Sequence, residues 1–179
     1  SRFSTHRLFA KLNLEMGPRN RLMLAYHDDY TRAPFGASAL NAPSTVLEFS
    51  GHNPSPNLTF TSLFTDRTYF EARVSGFYGT DEVGPYLAGE PRTKPVYLDL
   101  DTGQLTGGTV FWSEGSLWRT GASAKLSHFA DDFLGGSHDF KFGVQYNSGG
   151  SEYTLGYNDY IYTYEYYGTR YGYGYTRLP

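Results

Sequence analysis

Residues 120–146, TGASAKLSHFADDFLGGSHDFKFGVQY, constrain the chain more than any other stretch. In the second half Phe140, Phe142, Val144 and Tyr146 alternate with Lys141, Gly143, Gln145 and Asn147. In the first half Ala122, Ala124 and Leu126 alternate with Ser123, Lys125 and Ser127. A period of two means a strand with one apolar face and one polar face. The connection at 131–137 carries the Gly and Asp that a hairpin needs for positive φ and for local side-chain hydrogen bonds. The stretch therefore reads as two antiparallel strands, 120–130 and 138–147, and the rest of the chain reads as further copies of this unit.

Composition points the same way. Of 179 residues, 17 are Tyr, 13 Phe and 21 Gly, which favours strands and tight turns. No segment holds helical apolar spacing for three turns, so little or no helix is expected. The net charge of −3, without a basic stripe, gives no case for a nucleic-acid partner. With no Cys there is no thiolate nucleophile, disulfide framework or Cys-based zinc site, and no cofactor is called for. No apolar run reaches the ~18 residues of a membrane helix, but barrel strands of ~9–11 alternating residues escape that criterion.

Strands are expected at about 5–16, 21–30, 58–65 and 68–78, ahead of the pair at 120–130 and 138–147. Long loops are expected at 31–57, where prolines interrupt any ladder, and at 79–118, with a small hairpin formed by 96–99 and 105–112. A Tyr-rich tail occupies 153–175. The whole, 1–179, reads as one all-β, antiparallel, up-and-down β-barrel or barrel fragment of about six to eight strands. Short turns fall on one edge and long loops on the other, as in transmembrane barrels. The polar faces hold Lys11, Glu15, Glu71, Arg73 and Lys141, which suit a wet lumen better than a dry core. A small soluble barrel alternates equally well, with its apolar face inward. Alternation alone does not say which face points in.

Particular words add to this pattern. They are Ser38–Thr45 (SALNAPST), Gly51-His52-Asn53-Pro54, Asp66-Arg67-Thr68, 71–79 (EARVSGFYG) and above all 137–146 (SHDFKFGVQY). Together, over roughly 7–165, they resemble the barrel region of TonB-dependent outer-membrane receptors, in the Oar-like subgroup that carries a carboxypeptidase-regulatory-like domain. The resemblance implies an outer-membrane location, lipid as a partner, a family role in nutrient uptake, and a mid-barrel stretch of about six strands that does not transport alone. Its two unpaired edges would invite self-association. If the chain instead closes on itself, a soluble barrel that binds or hydrolyses a glycan through a Tyr-rich rim is the alternative.

Candidate site residues follow from chemistry and composition. Tyr160, Tyr162, Tyr164 and Tyr166 alternate, and Tyr171, Tyr173 and Tyr175 repeat the spacing; with Trp112 and Trp118 they suit either sugar stacking or an interfacial aromatic girdle. Glu71, Glu114, Glu152 and Glu165 are the carboxylates a glycoside hydrolase could use, although nothing in the sequence pairs them. No Gly-x-Ser-x-Gly elbow exists, and the residues point away from an enzyme. His128, Asp131 and His138, with Asp132 and Asp139, form a metal-compatible inventory around one hairpin that reads better as turn chemistry. His27-Asp28-Asp29 and His52 read as solvated strand-end and loop residues. Asp99, Asp101 and Gly103 resemble the start of a calcium loop, but Val110 stands where the closing Glu is needed.

Overall fold

A computed structural model describes residues 3–175, with Asp132 and Tyr175 described by their backbones alone; the ends of the expected 1–179 domain lie outside these residues. The strands are β1 (Ser4–Glu15), β2 (Asn20–Phe35), β3 (Leu47–Thr65), β4 (Thr68–Pro85), β5 (Val96–Asp99), β6 (Leu105–Gly107), β7 (Phe111–Phe133), β8 (Gly136–Tyr157), β9 (Tyr160–Tyr166) and β10 (Thr169–Tyr175). A single 3-10 turn, Pro43–Thr45, precedes β3. The chain is all-β. Six strands make an up-and-down antiparallel sheet in the order β1-β2-β3-β4-β7-β8, and four make a smaller sheet in the order β10-β9-β5-β6. Within the smaller sheet β5 and β9 run parallel. Among the described residues, β1 and β8 are the open edges of the larger sheet.

The strands of the larger sheet are longer than the alternation suggests. The loop expected at 31–57 contracts to 36–46, because β2 runs on to Phe35 and β3 starts at Leu47. The loop expected at 79–118 contracts to 86–110, with β5 and β6 inside it, while β7 already begins at Phe111. Likewise β8 continues to Tyr157, so the first part of the Tyr-rich tail belongs to the sheet and the rest forms the β9–β10 hairpin.

The prolines of β3 do not break it, because both are aimed at one neighbour. Asn53–Pro56 pair with β2 through Asp29, Asp28, His27 and Tyr26. Toward β4 the pairing lapses between His52↔Thr80 and Asn57↔Ser75, and the same register resumes on the far side. Alternate residues send their backbone N–H to the same side of a strand, so Pro54 and Pro56 both lack donors toward β4 and neither disturbs the β2 ladder.

The short turns are built for their strands. Leu134 and Gly135 both have positive φ, 51° and 83°, the pairing that a two-residue hairpin turn demands. Tyr167 and Gly168, at 49° and 72°, do the same between β9 and β10. Ion pairs link the turn edge sideways: Arg19 to Asp66 at 2.9 Å and Arg67 to Asp131 at 3.0 Å.

Little of the molecule is buried. Among the described residues the buried apolar side chains are Val46, Leu47 and Val96, of which Val96 is fully enclosed, and Thr45 and Thr109 are buried beside them. All lie at the loop end, where the 3-10 turn, the start of β3 and the small sheet meet. Gly107 and Gly108 let the chain pass this point: a Cβ on Gly107 would strike the Pro95 carbonyl, and one on Gly108 the Lys94 carbonyl. Gly17, in the first turn, has φ 78° but open space around it. Gly108→Ala is therefore expected to destabilise the small sheet by about 3 kcal/mol through overpacking, and Gly17→Ala by only about 1 kcal/mol through backbone strain alone. Denaturant unfolding checks both values, and equal costs at the two sites would contradict the packing account.

Candidate functional site

The register assigns every side chain of the larger sheet to one of two faces. One row runs Leu14–Leu22–Phe60–Ala72–Ala124–Val144 across all six strands. The next row toward the loops is Leu12–Leu24–Leu58–Val74–Ala122–Tyr146. With Leu8 and Ala10 on β1, Tyr26 on β2, Phe70 and Tyr78 on β4, Trp118 and Leu126 on β7, and Phe140 and Phe142 on β8, these rows form a continuous apolar band without a charged residue. Nothing among the described residues covers it: Leu12 and Val74 are 51% exposed, Phe142 64% and Val144 69%.

The band crosses the strands at a slant. Counting from the row of Leu14 and Val144, β1 extends it toward the loops through Leu12, Ala10 and Leu8. On β8 it reaches only Tyr146 in that direction, but runs back through Phe142 to Phe140 toward the turn. The drift is about four residues, roughly 13 Å along the strands against roughly 24 Å across the sheet, a slant of about 30°. On β4 the band spans Phe70 to Tyr78, about 26 Å of strand.

Charge begins where the band ends. On the same face, toward the loops, His52 pairs with Asp28 at 2.8 Å and Arg32 with Glu48 at 2.6 Å. The opposite face carries most of the charged residues of the sheet, interspersed with apolar ones such as Phe9, Met23, Phe77 and Leu117. It carries Arg7–Asp29 at 3.1 Å, Arg21–Glu15 at 2.7 Å, Arg73–Glu71 at 3.8 Å and Lys141–Asp139 at 2.9 Å. One sheet thus presents an uncharged apolar surface and an ion-paired hydrophilic one, back to back.

The aromatic candidates separate into different places. Tyr160, Tyr162, Tyr164 and Tyr166 share one face of β9, opposite Tyr171 and Tyr173 of β10. Their rings pack on each other: Tyr162 on Tyr173 at 5.2 Å and 19°, Tyr164 on Tyr171 at 5.5 Å and 20°. Ring faces used in this way are taken up inside the cluster, and burial beside Tyr162 raises the Tyr160 phenol above its ordinary value. Trp118 lies over its cross-strand partner Gly150, beside Tyr78, at the loop-side margin of the apolar band. Trp112 lies over Gly156 further along β7, with the Arg92 guanidinium 4.4 Å above its ring. The expected single rim of Tyr and Trp is therefore a tyrosine cluster on the small sheet and two separate tryptophans on β7.

The carboxylate candidates are also dispersed. Glu71 lies on the polar face of β4, accepting a hydrogen bond from the Tyr69 hydroxyl at 3.3 Å. Glu114 and Glu152 lie on the other face, beyond the band, on neighbouring strands; Glu114 stands opposite Glu82 and is ion-paired to Arg92. Glu165 belongs to the small sheet, where its amide donates to the Asp101 carboxylate at 2.6 Å. The acidic row Glu82–Glu114 was not legible in the sequence, because it exists only through the β4–β7 register.

Around the last hairpin, the described candidate ligands His128, Asp131, His138 and Asp139 each have another partner, while the Asp132 side chain lies outside the described residues. The Thr68 hydroxyl and His128 Nδ1 are 2.9 Å apart, Asp131 pairs with Arg67, and His138 stacks on Phe140 at 5.9 Å. Among the described residues no three His, Asp or Glu side chains converge as metal ligands. His52 and Asp28, read as solvated positions, are partners across β2 and β3. His27 is drawn to Asp29 at 3.5 Å.

Asp99 serves its turn. Its Oδ1 accepts from the amides of Asp101 and Thr102, both at 3.0 Å. The Thr102 amide is the leading reason that the Asp99 carboxyl lies below its ordinary value, ahead of the Asp101 amide and the Arg170 charge. A depressed folded-state value means that the ionised form stabilises the turn above the ordinary value, and that this is lost as pH falls through the depressed one. In an NMR titration the Thr102 amide shift should hold steady through the ordinary carboxylate range and move only below it. A transition centred within or above that range would contradict this. No protein-family model matches the chain, and no curated protein matches it.

Proposed function

We propose that this chain is part of the wall of an outer-membrane β-barrel, with its apolar face against lipid and its ion-paired face toward a water-filled lumen. In this reading the short turns lie on one side of the membrane, and the small sheet and tyrosine cluster lie on the other. The words that resemble TonB-dependent receptors of the Oar-like subgroup extend the proposal: the wall belongs to a receptor for nutrient uptake, and this stretch does not transport by itself.

The observation that carries the proposal is the uncharged, uncovered, slanted band. A lipid-facing surface has to be apolar over about 25 Å and free of charge, and tilted strands make it cross the ladder obliquely, typically at 35–45°. A water-soluble barrel turns the same alternation inward and packs it, whereas here Phe142 and Val144 are among the most exposed apolar residues. The backbone suits this solvent too, since in hydrocarbon each strand needs its neighbours for hydrogen bonding. The open edges at β1 and β8 are then the seams at which further wall joins.

The two tryptophans test the proposal. Trp118 lies at the band margin, and Trp112 lies about 20 Å further along the strand. With the chain folded into vesicles whose acyl chains are brominated, Trp118 (read in Trp112→Phe) should be quenched at least twofold more than Trp112 (read in Trp118→Phe). Equal quenching, or stronger quenching of Trp112, would refute the assignment.

A further inference from the structure

Most charged residues of the polar face are ion-paired within the sheet; among the described residues Lys11, Asp81, Arg119 and Lys125 are not. Across β4, β7 and β8 lies an open depression of about 440 Å³, lined by Arg73, Ser75, Lys125, Gln145 and Asn147. Its floor is Gly121. A Cβ placed there would sit 3.0 Å from Asn147 Oδ1 and 3.2 Å from Ser75 Oγ, so an amide oxygen and a hydroxyl converge over a spot left clear of side chain.

The hydrogen-bonding capacity around this spot is unspent. Among the described residues, the side chains of Ser75, Lys125, Gln145 and Asn147 make no hydrogen bond or ion pair within the chain. Arg73 has only Glu71 near it, at 3.8 Å, a long approach for an ion pair. Elsewhere on the same face Arg21 and Glu15 close to 2.7 Å, and Lys141 and Asp139 to 2.9 Å. Two cations set against one nearby carboxylate leave a net positive charge, flanked by two amides and a hydroxyl.

We propose that this depression binds an acidic sugar, a ring carrying one carboxylate and adjacent hydroxyls. Lys125 and Arg73 take the carboxylate through charge-assisted hydrogen bonds. Gln145, Asn147 and Ser75, each able to donate and accept, take the hydroxyls. The volume is that of a small-ligand site, and its openness suits one or two sugar rings lying along the wall. The site is reachable whatever covers the apolar face, so it stands or falls separately from the membrane assignment.

The test is a titration of the refolded chain in detergent micelles with digalacturonate, with maltose as the neutral disaccharide, read through the Gln145 and Asn147 side-chain amide signals. Digalacturonate should bind saturably and about tenfold or more tighter than maltose, as loss of a charge-assisted contact implies. Lys125→Gln and Asn147→Leu, both at exposed positions, should each weaken it at least fivefold. Equal binding of the two disaccharides, no saturable binding, or unchanged affinity in both variants would overturn the proposal. Displacement by an equal concentration of inorganic phosphate would also overturn it, by marking a site for a bare anion.

Discussion

The larger sheet is held together by its backbone ladder and not by a core. Six strands pair over most of their length, yet the buried apolar side chains, Val46, Leu47 and Val96, all lie at one end, outside the middle of that sheet. In water, burial of apolar surface is the main favourable term in folding. Here that surface is spread flat across one face and left bare, at a scale that marks an interaction surface or an aggregation hazard. Hydrocarbon reverses the argument: it solvates the apolar face, offers the backbone no hydrogen bonds, and so makes the ladder obligatory. The fold is coherent in that solvent.

The polar face follows from the same constraint. Many of its ionisable groups are arranged as close pairs within and between strands, such as Arg7 with Asp29 and Arg21 with Glu15. Exposed pairs of this kind contribute little stability, about 0–1 kcal/mol each. Their arrangement still matters, because paired charges offset one another over much of this face, whereas Lys125, Arg119 and Lys11 have no carboxylate partner among the described residues. The turn-edge pairs, Arg19–Asp66 and Arg67–Asp131, join successive hairpins where no core does so. At the opposite end the small sheet, with its packed tyrosines and enclosed Val96, forms the part that resembles an ordinary protein interior.

The sequence was legible where one face differs from the other. Leu8–Leu14, Phe70–Tyr78 and Phe140–Tyr146 alternate in hydrophobicity because their two faces meet different surroundings, and the hairpin of β7 and β8 was visible for that reason. Beyond the band the same face turns polar through Arg32, Ser50, His52, Thr80, Glu82, Ser116 and Glu152, while apolar residues such as Phe49, Val83, Leu117 and Leu155 lie on the other face. The alternation changes face along each strand, so the loop-side halves did not read as continuations of the same strands. Pro54 and Pro56 strengthened that misreading, since their shared orientation toward β4 follows from register and not from composition. Candidate sites read from residue inventory were dispersed by the same register: Glu71 and Glu114 lie on opposite faces, and Trp118 stands apart from Tyr160–Tyr166. The unpaired polar depression over Gly121 was invisible because its members come from three strands.

The chain contains no cysteine, which makes the central claim directly measurable. Single cysteines placed in turn at Lys141, Phe142, Gly143, Val144, Gln145 and Tyr146 sample both faces of β8 through the depth of the apolar band. In bilayers, a membrane-impermeant maleimide should label positions 141, 143 and 145 and spare 142, 144 and 146. Uniform labelling, or the opposite alternation, would contradict an apolar face turned to lipid.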